Sequence, residues 1–120
     1  MDTPAERGRR GEDIAVQMLT DRGLHVLARN WRAGRRGELD IVAHDPAARA
    51  LVFVEVKTRT SDAYGSPASA VTPPKYRRLR QLAAAWLECH PQQAPHVRID
   101  VVEVRLRAGN VPLVTHLQGV

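Results

Sequence analysis

The sequence predicts a small α+β domain in which helices pack on a mixed β-sheet, in the order αβββαβ(β). Three observations point there. Two segments of helical periodicity each open on a Thr-Pro pair, at Thr3-Pro4 and Thr72-Pro73. Short runs rich in Val, Ile and Leu lie between and after them. An Asp45-Pro46 turn joins two of those runs.

In the first helix Thr3 is the expected N-cap, Pro4 sits in the first turn and Glu6 closes a capping box. The helix should run to about Arg22, where Gly23 can supply a left-handed stop. Strands follow over His25 to Trp31, Glu38 to His44 and Leu51 to Lys57. Residues Thr58 to Val71, rich in Ser, Gly and Ala, read as a loop. Thr72-Pro73 then opens a second helix ending near Cys89, before His90-Pro91. Arg98 to Val104 is a fourth strand and Val111 to His116 a short fifth.

With 120 residues, the chain reads as one domain spanning 1–120. Aromatic residues are only 4% of it, so the core must be built mainly from Val, Leu, Ile and Ala. The formal net charge of +5 comes mostly from Arg, which points to an anionic partner, and to phosphate rather than a simple carboxylate. Cys89 is the only cysteine, which excludes an intrachain disulfide and a cysteine zinc cluster. No apolar run approaches the ~20 residues of a membrane span. The opening MDTPAERGRRGED lacks the hydrophobic stretch of a signal peptide. A cytoplasmic protein without a membrane partner is therefore expected.

The chemistry concentrates around the Asp45-Pro46 turn. If Pro46 to Arg49 form the loop, Asp45 closes on Ala50, Asp40 stands opposite Glu55, and Glu38 stands opposite Lys57. Strict alternation then projects all four side chains from one face. Directly opposed Cβ atoms lie about 4.5–5.5 Å apart. Two carboxylates at that distance repel by roughly 3 kcal/mol at an effective dielectric of ~20. A divalent cation would turn that repulsion into coordination, and Lys57 sits beside it. Glu-Val-Lys alone is a weak signal; its alignment with an Asp on the paired strand strengthens it.

Helical phase adds two residues. Ile14, Ala15, Val16, Met18 and Leu19 sweep an apolar arc that also contains Glu12, with Gly8 and Gly11 allowing a close backbone approach. A carboxylate on that arc needs a partner, either the metal site or an Arg. On the second helix Lys75 shares the inner stripe of Leu79, Leu82 and Trp86. It would face the acidic site or a phosphate, or snorkel to solvent.

Several motifs together resemble a known family. Gly11-Glu12, Arg29-Asn30-Trp31-Arg32, Gly37-Glu38-Leu39-Asp40-Ile41-Val42 and Phe53-Val54-Glu55-Val56-Lys57-Thr58-Arg59 are similar to the bacterial YraN family. Tyr64-Gly65, Lys75 and Arg98-Ile99-Asp100-Val101-Val102 continue the likeness over nearly the whole chain. That family resembles the PD-(D/E)XK nuclease superfamily, near the archaeal Holliday junction resolvases. The resemblance implies a restriction-endonuclease-like fold. It also implies metal ligation by Asp40, Glu55 and the helix-borne Glu12, with Lys57 completing the catalytic set. Leu39 stands where the motif's Pro would be.

The implied activity is Mg²⁺-dependent (or Mn²⁺-dependent) hydrolysis of phosphodiester bonds in DNA, selective for branched or junction structures. The alternative is a nucleic-acid-binding module without useful catalysis. Candidate backbone clamps are Arg29, Arg32, Arg35 and Arg36 before the acidic pair, and Lys75, Arg77 and Arg78 on the second helix. Arg59 and Tyr64 follow the catalytic strand and could touch substrate. Junction resolvases act as symmetric dimers, which makes a homodimer part of the expectation.

Overall fold

A computed structural model describes residues 2–60, 71–91 and 94–120. Helix α1 spans Pro4–Asp21. Its start is the expected capping box: Thr3 Oγ1 accepts the Glu6 N–H at 3.1 Å, and Glu6 Oε1 accepts the Thr3 N–H at 3.4 Å. At the other end Gly23 adopts φ +91°, so the chain leaves the helix through a conformation that a side chain would strain. Strands β1 (His25–Arg32), β2 (Glu38–Asp45) and β3 (Ala50–Arg59) follow. Then come α2 (Pro73–Cys89), β4 (His96–Arg105) and β5 (Leu113–Leu117). A 3-10 turn at Gly34–Arg36 links β1 to β2.

The five strands lie side by side in sequence order, with only β3 and β4 parallel. Each face of the sheet carries one helix. On the first face, Ala15 and Leu19 of α1 pack on Ile41, Ala43, Val52, Val54, Val102 and Val104. On the second, Leu79, Leu82 and Trp86 of α2 pack on Leu39, Val42, Leu51, Phe53 and Ile99. This is the expected mixed sheet between helices, with a core of small branched residues. Both β3 and β4 run longer than expected, because their parallel pairing extends from Ala50–His96 to Arg59–Arg105. Among the described residues no helix is long and apolar enough to cross a membrane.

The hairpin turn is the one expected: Asp45 pairs with Ala50, and Ile41 with Val54. Beyond that last pair the β2–β3 ladder stops. Asp40 Oδ2 there accepts the Val56 N–H at 2.8 Å, so a side chain takes the place of a backbone partner.

Strict alternation fails at the same level, which corrects the single-face arrangement of Glu38, Asp40, Glu55 and Lys57. Leu39 and Val42, three residues apart, both enter the α2-facing core. So do Ala28 and Trp31 on β1. Between them Asn30 has φ +52°, a left-handed conformation that Asn tolerates better than most residues. Asn30 falls opposite Asp40, between the pairs Arg29–Ile41 and Trp31–Leu39. Both strands turn over at this one level. Arg29 and Asn30 consequently both reach toward α1.

Candidate active site where β2 and β3 part

The place of α1 over this opening is decided by Gly11. A Cβ there would lie 1.9 Å from Thr58 Oγ1 and 2.9 Å from Thr58 Cβ, so only glycine lets the helix sit this close to β3. Glu12, the next residue, is thereby held at the opening. Arg29 Nε donates to Glu12 Oε1 at 2.9 Å and Asn30 Nδ2 donates to the same oxygen at 3.0 Å. Arginine, one of the two partners weighed for Glu12, is thus present at its carboxylate. Asn30 is a second partner that periodicity could not reveal.

Asp40 occupies the centre. Burial, then the Glu55 carboxylate, push its carboxyl up to about 7, with Glu12 and Glu38 adding to the effect and the Val56 N–H opposing it. Glu55 lies toward α2, where Lys75 Nζ approaches its Oε1 to 3.3 Å. Lys75 thus faces the acidic site. Glu38 pairs with the exposed Arg32 at 3.5 Å. A cleft of ≈ 780 Å³ opens on the α1 side, lined by Glu12, Asn30, Glu38, Asp40 and Lys57, with Arg7, Gly8 and Arg9 forming the helical wall.

Asp40, Glu12, Glu55 and Lys57 therefore converge on one level of the fold from two faces of the sheet. Each carboxylate is engaged by a neighbour: Glu12 by Arg29 and Asn30, Glu55 by Lys75, Asp40 by a backbone N–H. Among the described residues, no three His, Cys, Asp or Glu side chains stand close enough together to hold a metal as they are. The residues nevertheless suit one. They are hard oxygen donors, and Asp40 lacks enough positive charge around it to ionise at its ordinary pH.

Two of the arginines assigned to nucleic acid are engaged within the fold. Arg59, which lines the cleft, is buried, with Nε 2.8 Å from Glu103 Oε2 on β4. Arg29 holds Glu12 and also Asp13, at 2.7 Å, so its role is to position an acid. Arg32, Arg35 and Arg36 are exposed around the 3-10 turn, and Arg77 and Arg78 are exposed on α2. Tyr64 lies outside the described residues. Arg7 and Arg9, which line the cleft, were missed because they precede the apolar arc used to orient α1. Their place at i−5 and i−3 to Glu12 is the signal that could have found them.

A layered α/β/α domain with carboxylates gathered where two central strands separate is the class that this geometry defines. Residues 11–104 match the model of the uncharacterised protein family UPF0102. A UPF0102 protein of Mycobacterium sp. (strain KMS) is 56% identical over 98% of this chain and 87% of its own length. One from Mycolicibacterium gilvum (strain PYR-GCK) is 55% identical over 99% and 96%. A third, from Mycobacterium tuberculosis (strain ATCC 25177 / H37Ra), is 52% identical over 98% and 94%. The chain belongs to the UPF0102 family.

Proposed function

We propose that this protein is a Mg²⁺-dependent (or Mn²⁺-dependent) endonuclease of the PD-(D/E)XK kind, hydrolysing phosphodiester bonds in DNA, with branched or junction DNA as the preferred form. The observation that carries the reading is Asp40. A carboxyl driven up to about 7 by burial and by Glu55, Glu12 and Glu38, with Lys57 lining the same cleft, is a group whose charged form a divalent cation would favour.

Asp40 and Glu55 would hold the ion, and Glu12 would contribute through Oε2, since Arg29 and Asn30 both donate to Oε1. The chemistry such an ion would supply is polarisation of the scissile phosphate and a lowered pKa for the attacking water. Lys57 in the cleft orients that water and stabilises negative charge developing on the phosphate. Lys75 holds the Glu55 carboxylate in position. The exposed arginines of the 3-10 turn and α2 clamp the backbone on the outer side and read no sequence.

The reading is tested with labelled duplex, flap, single-stranded and four-way-junction DNA in Mg²⁺ or Mn²⁺, beside Asp40→Ala and Glu55→Ala. Wild type is expected to cut at least one form, the junction best, and both variants none. Cleavage persisting in both variants would sink the site assignment. Binding by wild type without any cleavage would favour a binding module on the same fold. The engaged state of every carboxylate is the observation that keeps this second reading in view.

A further inference from the structure

The helical wall of the cleft has a structure of its own. Arg7 and Arg9 lie on either side of Gly8, all three lining the cleft together with Lys57 and Thr58 of β3. A Cβ on Gly8 would meet nothing within 4 Å, so the glycine leaves an open notch between two guanidinium groups. Arg7 donates to the Asp2 carbonyl at 2.8 Å, a neutral acceptor that leaves its charge uncompensated. Arg9 is exposed and makes no hydrogen bond or ion pair with another described residue. Arg10 differs: it pairs with the Asp2 carboxylate and lines a separate depression beside Arg107 and Asn110.

Both signs of charge line this single cleft: acids at Glu12, Glu38 and Asp40, and cations at Arg7, Arg9 and Lys57. A ligand carrying one phosphate would engage only one part of that lining. A polyanion with phosphates in series can engage more than one.

We infer that the notch at Arg7-Gly8-Arg9 seats the sugar-phosphate backbone of one polynucleotide strand beside the carboxylates of the cleft. The inference rests on the nuclease reading for the nature of the ligand, and it adds the residues that hold the strand next to the reacting phosphate. Arginine suits this task because its planar fork meets phosphate oxygens with paired donors. The bare glycine lets the backbone approach the helix closely, and the opposite wall supplies Lys57.

The test measures binding alone, in EDTA, where cleavage does not occur. Fluorescence anisotropy of a labelled single-stranded DNA oligonucleotide compares wild type with Arg9→Glu, Gly8→Glu and Arg10→Glu, each confirmed as folded by its thermal melt. Arg9→Glu and Arg10→Glu change the charge equally on neighbouring positions of one helix, but only the first lies in the cleft. Arg9→Glu and Gly8→Glu are expected to weaken binding by about tenfold or more, and Arg10→Glu by no more than about threefold. Arg9→Ala should reduce the slope of log affinity against log salt by about 0.7, the value for one single-strand phosphate. Equal losses for Arg9→Glu and Arg10→Glu would overturn the inference, as would wild-type affinity in Gly8→Glu. Displacement of the oligonucleotide by an equal concentration of mononucleotide would overturn the strand in favour of a small anion. Position-specific binding without Mg²⁺-dependent cleavage would leave this inference standing and remove the nuclease reading. Cleavage with wild-type binding in Arg9→Glu would do the reverse.

Discussion

Asp40 and Asp100 are both acids within the fold, and their surroundings drive them in opposite directions. Asp40 has its folded pKa raised to about 7 from 3.8 by burial and neighbouring carboxylates. The native state therefore keeps a proton that the unfolded chain loses near pH 4, so the metal-free protein loses stability as pH rises from about 4 through about 7. The full difference corresponds to at most ~4 kcal/mol, and local relaxation should bring it to ~1–2 kcal/mol. Asp40→Asn keeps an acceptor for the Val56 N–H while removing the charge. Urea denaturation in EDTA at pH 8 should find it more stable than wild type by ~1–2 kcal/mol, and at pH 4 about equal.

For Asp100 burial alone would raise the pKa, but hydrogen bonds from His116, Arg98 and the Gly119 N–H outweigh it and hold the carboxyl below its ordinary value. Its contribution is present at neutral pH and is lost as the solution is acidified through the carboxylate range. Asp100→Ala removes one of the two carboxylate partners of Arg98, which keeps Asp45 at 3.2 Å, and should cost ~1.5–3 kcal/mol at pH 7, read by the same denaturation.

At the scale of elements, two contacts set the site's geometry. The first is α1 on β3. Gly11→Ala would drive a Cβ into Thr58, where Oγ1, Cβ and Cγ2 all lie within 2.9 Å, so turning the threonine gives no relief. A loss of ~1–3 kcal/mol in urea denaturation is expected, with partial recovery when Thr58→Gly is added. The second is the turnover of β1 and β2 at Asn30 and Asp40. Asn30→Ala forfeits the hydrogen bond to Glu12 and strains φ +52°, together ~2 kcal/mol, whereas Asn30→Gly restores the backbone part and should lose only ~1.

These elements were legible to different degrees. Both helices began where Thr-Pro placed them, and the hairpin register followed from its turn because Asp45 and Ala50 fix every pair outward to Ile41–Val54. The face on which Asp40 sits was not legible. Strand patterning assumes an unbroken period of two, and a single left-handed residue on the neighbouring strand cancels that assumption without any local mark on β2. The buried pair of Arg59 and Glu103 was hidden for another reason. Its partners are 44 residues apart and meet only through the parallel pairing of β3 with β4.

Over the whole molecule, the order of strands makes one opening the natural place for chemistry. The three central strands are covered on both faces by helices, while β2 and β3 separate at the ends nearest Gly11 and Lys75. The net charge of +5 includes Arg7 and Arg9 of α1 in the cleft itself and exposed arginines on the 3-10 turn and α2. On the proposed reading that excess of positive charge draws a polyanion toward the surface, and a cation on the carboxylates lets it settle there. Composition is what suggests the polyanion, and the spacing of Asp40, Glu55 and Lys57 is what suggests the cation. Which arginines face inward depended on tertiary contacts that no local pattern encodes.

On the proposed reading, Asp40 and Glu55 together hold a divalent cation. Isothermal titration of Mn²⁺ into the metal-free protein at pH 8, with thermal melts at matched concentrations, tests it most directly. The account predicts that wild type binds Mn²⁺ and melts at a higher temperature with it, and that Asp40→Asn and Glu55→Gln lose both effects. Undiminished binding and stabilisation in those two variants, or no binding by wild type, would contradict it.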